Sequence, residues 1–115
     1  MKNCVFAIIF GLLCAACASV TALISGAEDI YEVYEKPQNC EYLYRVEGEK
    51  IDRRGSLSLA QMRESAINDL KNKVAGSELG GNTVHIVSNE KRDKDKKPRS
   101  EYLVVGDVYK CNLAE

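Results

Sequence analysis

Histidine is nearly absent from this chain: His85 is the only one. That scarcity removes the commonest general base and a frequent metal ligand together. Nucleophilic catalysis needs an activating base and an orienting group in reach, and a zinc site needs three or four ligands. One imidazole supplies neither, and in the segment 82–89 it alternates with Val84 and Ile86, which marks it as a sheet residue. An excess of either charge is missing as well. The 16 basic residues stand against 17 acidic ones, a net charge of −1. Nucleic-acid binding needs a basic face with stacking aromatics, so no nucleic-acid partner is expected. Carboxylate pairs exist at Glu28-Asp29 and Glu32/Glu35, but in polar segments where nothing would raise a carboxyl pKa for acid work. No internal repeat is visible. The expectation is a chain that is not an enzyme and needs no cofactor or metal.

Cysteine is scarce where the chain folds. Of five cysteines, Cys4, Cys14 and Cys17 sit in the first seventeen residues, leaving Cys40 and Cys111 for the rest. The folded part holds no C-x-x-C, the spacing that lowers a thiol pKa, so redox chemistry is not expected. An even pair in an exported domain reads as a structural disulfide. Closing a loop of about 70 residues is worth about 4 kcal/mol in the chain-entropy model.

The export signal is in the first residues. Lys2 precedes an uncharged apolar core at 5–13, and Cys14-Ala15-Ala16 leads into Cys17-Ala18. A positive start, an apolar core of about 7–15 residues and a small-residue cleavage site define a secretory leader. Cutting before Cys17 leaves a cysteine to carry acyl chains such as palmitate. Two or more chains anchor stably, at about 0.8 kcal/mol per buried methylene. The expected organisation is therefore a lipoprotein signal peptide at 1–16, the lipidated Cys17 with a tether at 17–29, and a periplasmic domain at 30–115. Ala18 after the cysteine, in place of Asp, favours the outer membrane. Two other outcomes stay open: cleavage after Ala18, which releases a soluble periplasmic protein, and an uncleaved span across 4–24. That span has the roughly 20-residue length a bilayer requires, but its second half is far less apolar than its first.

The exported part, about 100 residues, suffices for one domain with a modest core. Ile30, Val33 and Tyr34 mark a short strand at 30–35, and Pro37-Gln38-Asn39 a turn. Residues 40–47 alternate and are rich in β-formers, a second strand, and Gly48 begins a polar loop. Ser58-Leu59-Ala60-Gln61 is a capping box. Leu59, Met62, Ala66, Ile67, Leu70 and Val74 recur at helical spacing, and Gly80-Gly81 stops the helix. Strands at 82–89 and 101–111 follow, the latter broken by a bulge at Gly106-Asp107. The order β-β-α-β-β predicts an α+β two-layer fold, one amphipathic helix on a small, mainly antiparallel sheet.

One charged loop, 90–99, offers a contact surface. Lys91, Arg92, Lys94, Lys96, Lys97 and Arg99 could meet lipopolysaccharide phosphates or an acidic envelope protein; a solvated hairpin is the plainer reading. Six tyrosines fall on or beside the strands, where cross-strand packing explains most of them.

Taken in order, several pieces resemble a known family. They are Cys40 before a strand ending at Gly48, the helix segment Met62-Arg63-Glu64-Ser65-Ala66-Ile67-Asn68-Asp69-Leu70-Lys71-Asn72, Gly80-Gly81-Asn82 with Val84, and Gly106 with Val108-Tyr109-Lys110-Cys111. Their order and spacing resemble a family of small Gram-negative lipoproteins defined by domain of unknown function 4156. The resemblance runs from Cys17 to the chain's end and implies a periplasm-facing, disulfide-bonded lipoprotein without assigned enzymatic activity. More distantly, the helix followed by Gly80-Gly81-Asn82 is similar to the stress-sensing outer-membrane lipoprotein of the Rcs phosphorelay. By analogy this implies a sensor or adaptor. The chain departs from the family at Cys14, where an aliphatic residue is usual, and in the strongly charged loop. The resulting expectation is a lipid-anchored envelope module that binds or supports, with a stress sensor engaging a periplasmic signalling partner as the alternative.

Overall fold

The structure is a computed structural model that describes residues 19–93 and 100–112. Cys17, Lys94, Lys96, Lys97 and Arg99 lie outside the described residues. Five regular elements follow one another: β1 (Tyr31–Val33), β2 (Cys40–Asp52), α1 (Leu59–Ala75), β3 (Thr83–Asp93) and β4 (Ser100–Cys111). A short 3-10 turn, Ala27–Asp29, precedes β1.

Helix α1 begins where the capping box places it. Gln61 N–H donates to Ser58 Oγ at 3.1 Å, and Ser58 N–H donates to Gln61 Oε1 at 2.9 Å, so two orphan amides are satisfied reciprocally. Met62, Ala66, Ile67, Leu70 and Val74 form the buried stripe. Leu59, the first residue of the expected stripe, is instead 57% exposed, because it lies in the first turn beyond the sheet's cover. The helix also stops earlier than the Gly80-Gly81 signal, at Ala75 with Gly76 as its cap. The two later glycines, at φ 78° and 118°, turn the chain into β3.

The four strands form one sheet in the order β1-β3-β4-β2. Pairings β2·β4 and β3·β4 are antiparallel, whereas β1 runs parallel to β3. β1 and β2 thus occupy opposite edges, with the β3–β4 hairpin between them. The fold is α+β with α1 on one face, as expected. Strand extents differ from the sequence reading in four places, the first being β1, which spans only Tyr31–Val33 of the expected 30–35. β2 runs through Gly48 to Asp52, and β3 runs into the charged segment as far as Asp93. β4 is continuous through Gly106-Asp107, and the register irregularities fall on its neighbours, between Tyr42 and Tyr44 and between Ile86 and Ser88.

Gly48 is a packing glycine rather than a loop opener. A Cβ there would fall on the Ala66 carbonyl oxygen and 2.6 Å from Leu70 Cβ. Its bare backbone lets α1 lie close to β2. Val84, Val104 and Val108 complete this layer with Leu70 and Val74, all essentially inaccessible. The outer edge of β2 is partly covered: Glu49 N–H donates to Asp69 Oδ2 at 2.9 Å and Lys73 Nζ to Glu47 O at 2.8 Å. Satisfying edge groups this way blunts an otherwise open template for strand addition.

Asp52 ends β2 and is 2% exposed. Its carboxylate accepts from Gly55 N–H at 3.1 Å and Leu57 N–H at 2.8 Å, holding the loop that delivers Ser58 to the cap position. Burial pushes its pKa up, but hydrogen bonds from the amides of Leu57, Ser56, Arg54 and Gly55 outweigh that and hold it below the ordinary 3.8. A depressed folded-state pKa contributes stability above the unfolded value and loses it as pH falls through the folded one. Asp52→Asn should therefore cost about 1–3 kcal/mol at neutral pH. The gap to the parent protein should close in acid, below the ordinary carboxylate value. Urea midpoints of both proteins as a function of pH test this, and a gap that persists unchanged into acid contradicts it.

Candidate functional site

Cys40 and Cys111 are directly opposite in the β2·β4 register and are bridged. Asn82 clips the same end of the sheet: its Nδ2 donates to Cys111 O at 2.8 Å, and its Oδ1 accepts from Cys111 N–H at 2.9 Å. The role of Asn82 was not read from the sequence, although the residue stands out in the Gly80-Gly81-Asn82 motif.

Beside the bridge lies a cleft of about 600 Å³ on the face of the sheet away from α1. Tyr31, Val33, Pro37, Thr83 and the two bridged cysteines are among its lining residues. Topology explains it. Residues 34–39 must carry the chain from the β1 edge to the β2 edge, and that connection walls the cleft. Tyr109 is buried on this face and meets Tyr42 edge-on, ring centroids 5.7 Å apart. Tyr31 and Tyr42 are themselves more than half exposed. His85 belongs to the same face, opposite Asp107 in register. Both carboxylate oxygens of Asp107 accept from Arg45, at 2.7 and 3.2 Å. That bidentate pair raises the Arg45 pKa and occupies the one acid beside the histidine in the ladder.

A second hollow, about 440 Å³, runs between α1 and the β1–β3 side of the sheet. Its polar heart is a network the sequence reading missed. Glu32 accepts from Tyr34 Oη at 2.5 Å and pairs with Lys71 Nζ at 3.1 Å. Arg63 donates to Tyr34 Oη at 2.8 Å, with its guanidinium carbon 5.7 Å from the ring centroid. Burial pushes the Glu32 pKa up, but the bonds from Tyr34 and Lys71 and the charges of Lys71 and Arg63 hold it below the ordinary 4.5. Burial, then the bond to Glu32, pushes the Tyr34 phenol up to about 12. At neutral pH the network thus presents an ionised carboxylate and a neutral phenol, suited to hydrogen bonding rather than to donating a proton. Only the alternation of Glu32 with Tyr31 and Val33 hinted that this carboxylate turns toward the helix.

Of the expected basic contact residues, Lys91 and Arg92 lie in β3, opposite Tyr102 and Glu101. Arg92 Nε pairs with Glu90 Oε2 at 2.7 Å. Lys91 and Arg92 thus sit toward the end of the sheet remote from the disulfide. Among the described residues, no group of three or more His, Cys, Asp or Glu could hold a metal ion, and no helix is long and apolar enough to cross a membrane.

Fold and site together define a disulfide-bridged α+β domain with a cleft beside the bridge, a hollow beside α1 and, among the described residues, one face of its sheet bare of helix. The family described as Domain of unknown function (DUF4156) matches residues 21–111, well over half of the chain, and the chain belongs to it. The match begins at Thr21 and ends at the bridged Cys111. No curated protein and no solved structure matches the chain.

Proposed function

We propose that this protein is a lipid-anchored module of the cell envelope that binds a partner rather than catalysing a reaction. The observation that carries the reading is the apolar leader running through Ala15-Ala16 into Cys17, immediately ahead of a domain with an in-register disulfide. Disulfides persist in oxidising compartments such as the periplasm. Acyl chains on Cys17 hold the domain at the outer membrane, facing the periplasm. The cleft beside the bridge, with its exposed tyrosines, receives an envelope component; aromatic side chains are enriched at such contacts. The alternative, a stress sensor acting through the basic run, draws no support from Arg92, whose guanidinium is held by Glu90. Cys17→Ala should move the protein from the membrane fraction to the soluble periplasmic fraction. A variant that stays with the membranes contradicts the anchor.

A further inference from the structure

The segment 19–26, expected as part of a tether, lies along α1. Thr21 N–H donates to Ser65 Oγ at 3.0 Å, and Asn68 Nδ2 donates to Thr21 O at 2.8 Å. One turn further on, Asn72 Nδ2 donates to Ala22 O at 2.9 Å and its Oδ1 accepts from Ile24 N–H at 2.8 Å. Ser65, Asn68 and Asn72 stand at i, i+3 and i+7, one row of the helix. At 100° per residue this row lies on roughly the opposite side of α1 from Ala66, Leu70 and Val74, which face the sheet. Ser65 is nevertheless fully buried, because the strap covers it. The domain therefore has three layers: strap, helix and sheet. The sheet's second face, which carries the cleft, is the far side of that stack.

Only Ala18, Ser19 and Val20 separate Cys17 from the pinned Thr21, a reach of at most about 14 Å. A helix with its side chains is about 10–12 Å across, and the sheet lies a full layer beyond it. The bare sheet face is thus out of reach of an anchor at Cys17 while the strap stays docked. On the strap itself Leu23 and Ile24 are 38% and 46% exposed.

We infer that the strap and the outer side of α1 lie against the lipid surface, with Leu23 and Ile24 in contact with it, and that the cleft-bearing sheet face points away from the membrane. The inference rests on the anchor reading. A docked strap converts what would be a slack tether into a mount that fixes the domain's orientation. The face turned to the aqueous side is then the one with Tyr31, Tyr42 and the cleft, which is where a partner would be met.

The chain contains no tryptophan, so a single introduced one reports its own surroundings. The acylated full-length protein, carrying Ile24→Trp, Leu23→Trp or Tyr42→Trp, is reconstituted into phosphatidylethanolamine–phosphatidylglycerol vesicles containing a brominated phospholipid. Positions 23 and 24 should lose more than half of their emission while position 42 keeps nearly all of it. Adding Asn68→Ala with Asn72→Ala frees the strap, and quenching at position 42 should then rise. Equal quenching at 24 and 42 in protein that floats with the vesicles overturns the orientation and leaves the anchor standing. Protein that fails to float overturns the anchor, and the orientation with it. Strong exchange protection of the Thr21 and Ile24 amides, lost in the double Asn variant, is the expected companion result; its absence contradicts the docked strap.

Discussion

Replacing both Cys40 and Cys111 by serine lowers the unfolding free energy by about 4 kcal/mol, the chain-entropy value for a loop of about 72 residues. The two residues are 71 apart in sequence yet face each other across the β2·β4 ladder, so the bridge ties nearly the whole domain into one loop. For a domain of about 100 residues, whose total stability is of order 5–15 kcal/mol, that is a large fraction. The native contacts change little, since Asn82 still clips the end of β4. The effect therefore arises mostly in the unfolded chain. The urea midpoint should fall sharply, and reductant should lower the parent midpoint to the same place. Equal midpoints with and without reductant contradict this.

Gly48→Ala is the second large effect. The added methyl would meet the Ala66 carbonyl oxygen, a backbone atom of α1, and the Leu70 amide nitrogen at 2.7 Å. Overpacking costs about 1–3 kcal/mol, occasionally more. A backbone neighbour cannot swing aside as a side chain can, so a loss of about 3 kcal/mol is expected. The same substitution at Gly76 is the internal control. That glycine is exposed, has φ −90° and would place its Cβ an ordinary 3.4 Å from the Asn72 oxygen. Gly76→Ala should be neutral or stabilise by about 0.5 kcal/mol through the unfolded state. Thermal unfolding of the two variants side by side tests the contrast, and similar melting temperatures contradict it.

These two sites also show what local pattern conveys and what it hides. The capping box at Ser58, the stripe from Met62 to Val74 and the cysteine pair were legible because each is a local or compositional signal. Gly48 was misread because a glycine needed for close approach looks in sequence like one that ends a strand. The continuation of β3 through Glu90, Lys91 and Arg92 was hidden by their charge, which this exposed stretch tolerates because β1 pairs with β3 only as far as His85. The parallel β1·β3 pairing joins residues about fifty positions apart, and no local pattern encodes it. The strap was invisible for the same reason. Residues 19–26 have no periodicity of their own, and their partners Ser65, Asn68 and Asn72 look like an ordinary solvent-facing row. The Glu32–Lys71 pair and the cleft beside the disulfide likewise arise only once distant elements meet.

The account stands on a domain that is both anchored through Cys17 and closed by Cys40–Cys111, and one measurement reads both: the intact mass of the protein extracted from membranes without reductant. The result expected is a chain beginning at Cys17, heavier by its acyl groups and lighter by the two hydrogens of the bridge. A chain beginning at Ser19 with no acyl mass, or one with two free thiols at Cys40 and Cys111, would contradict it.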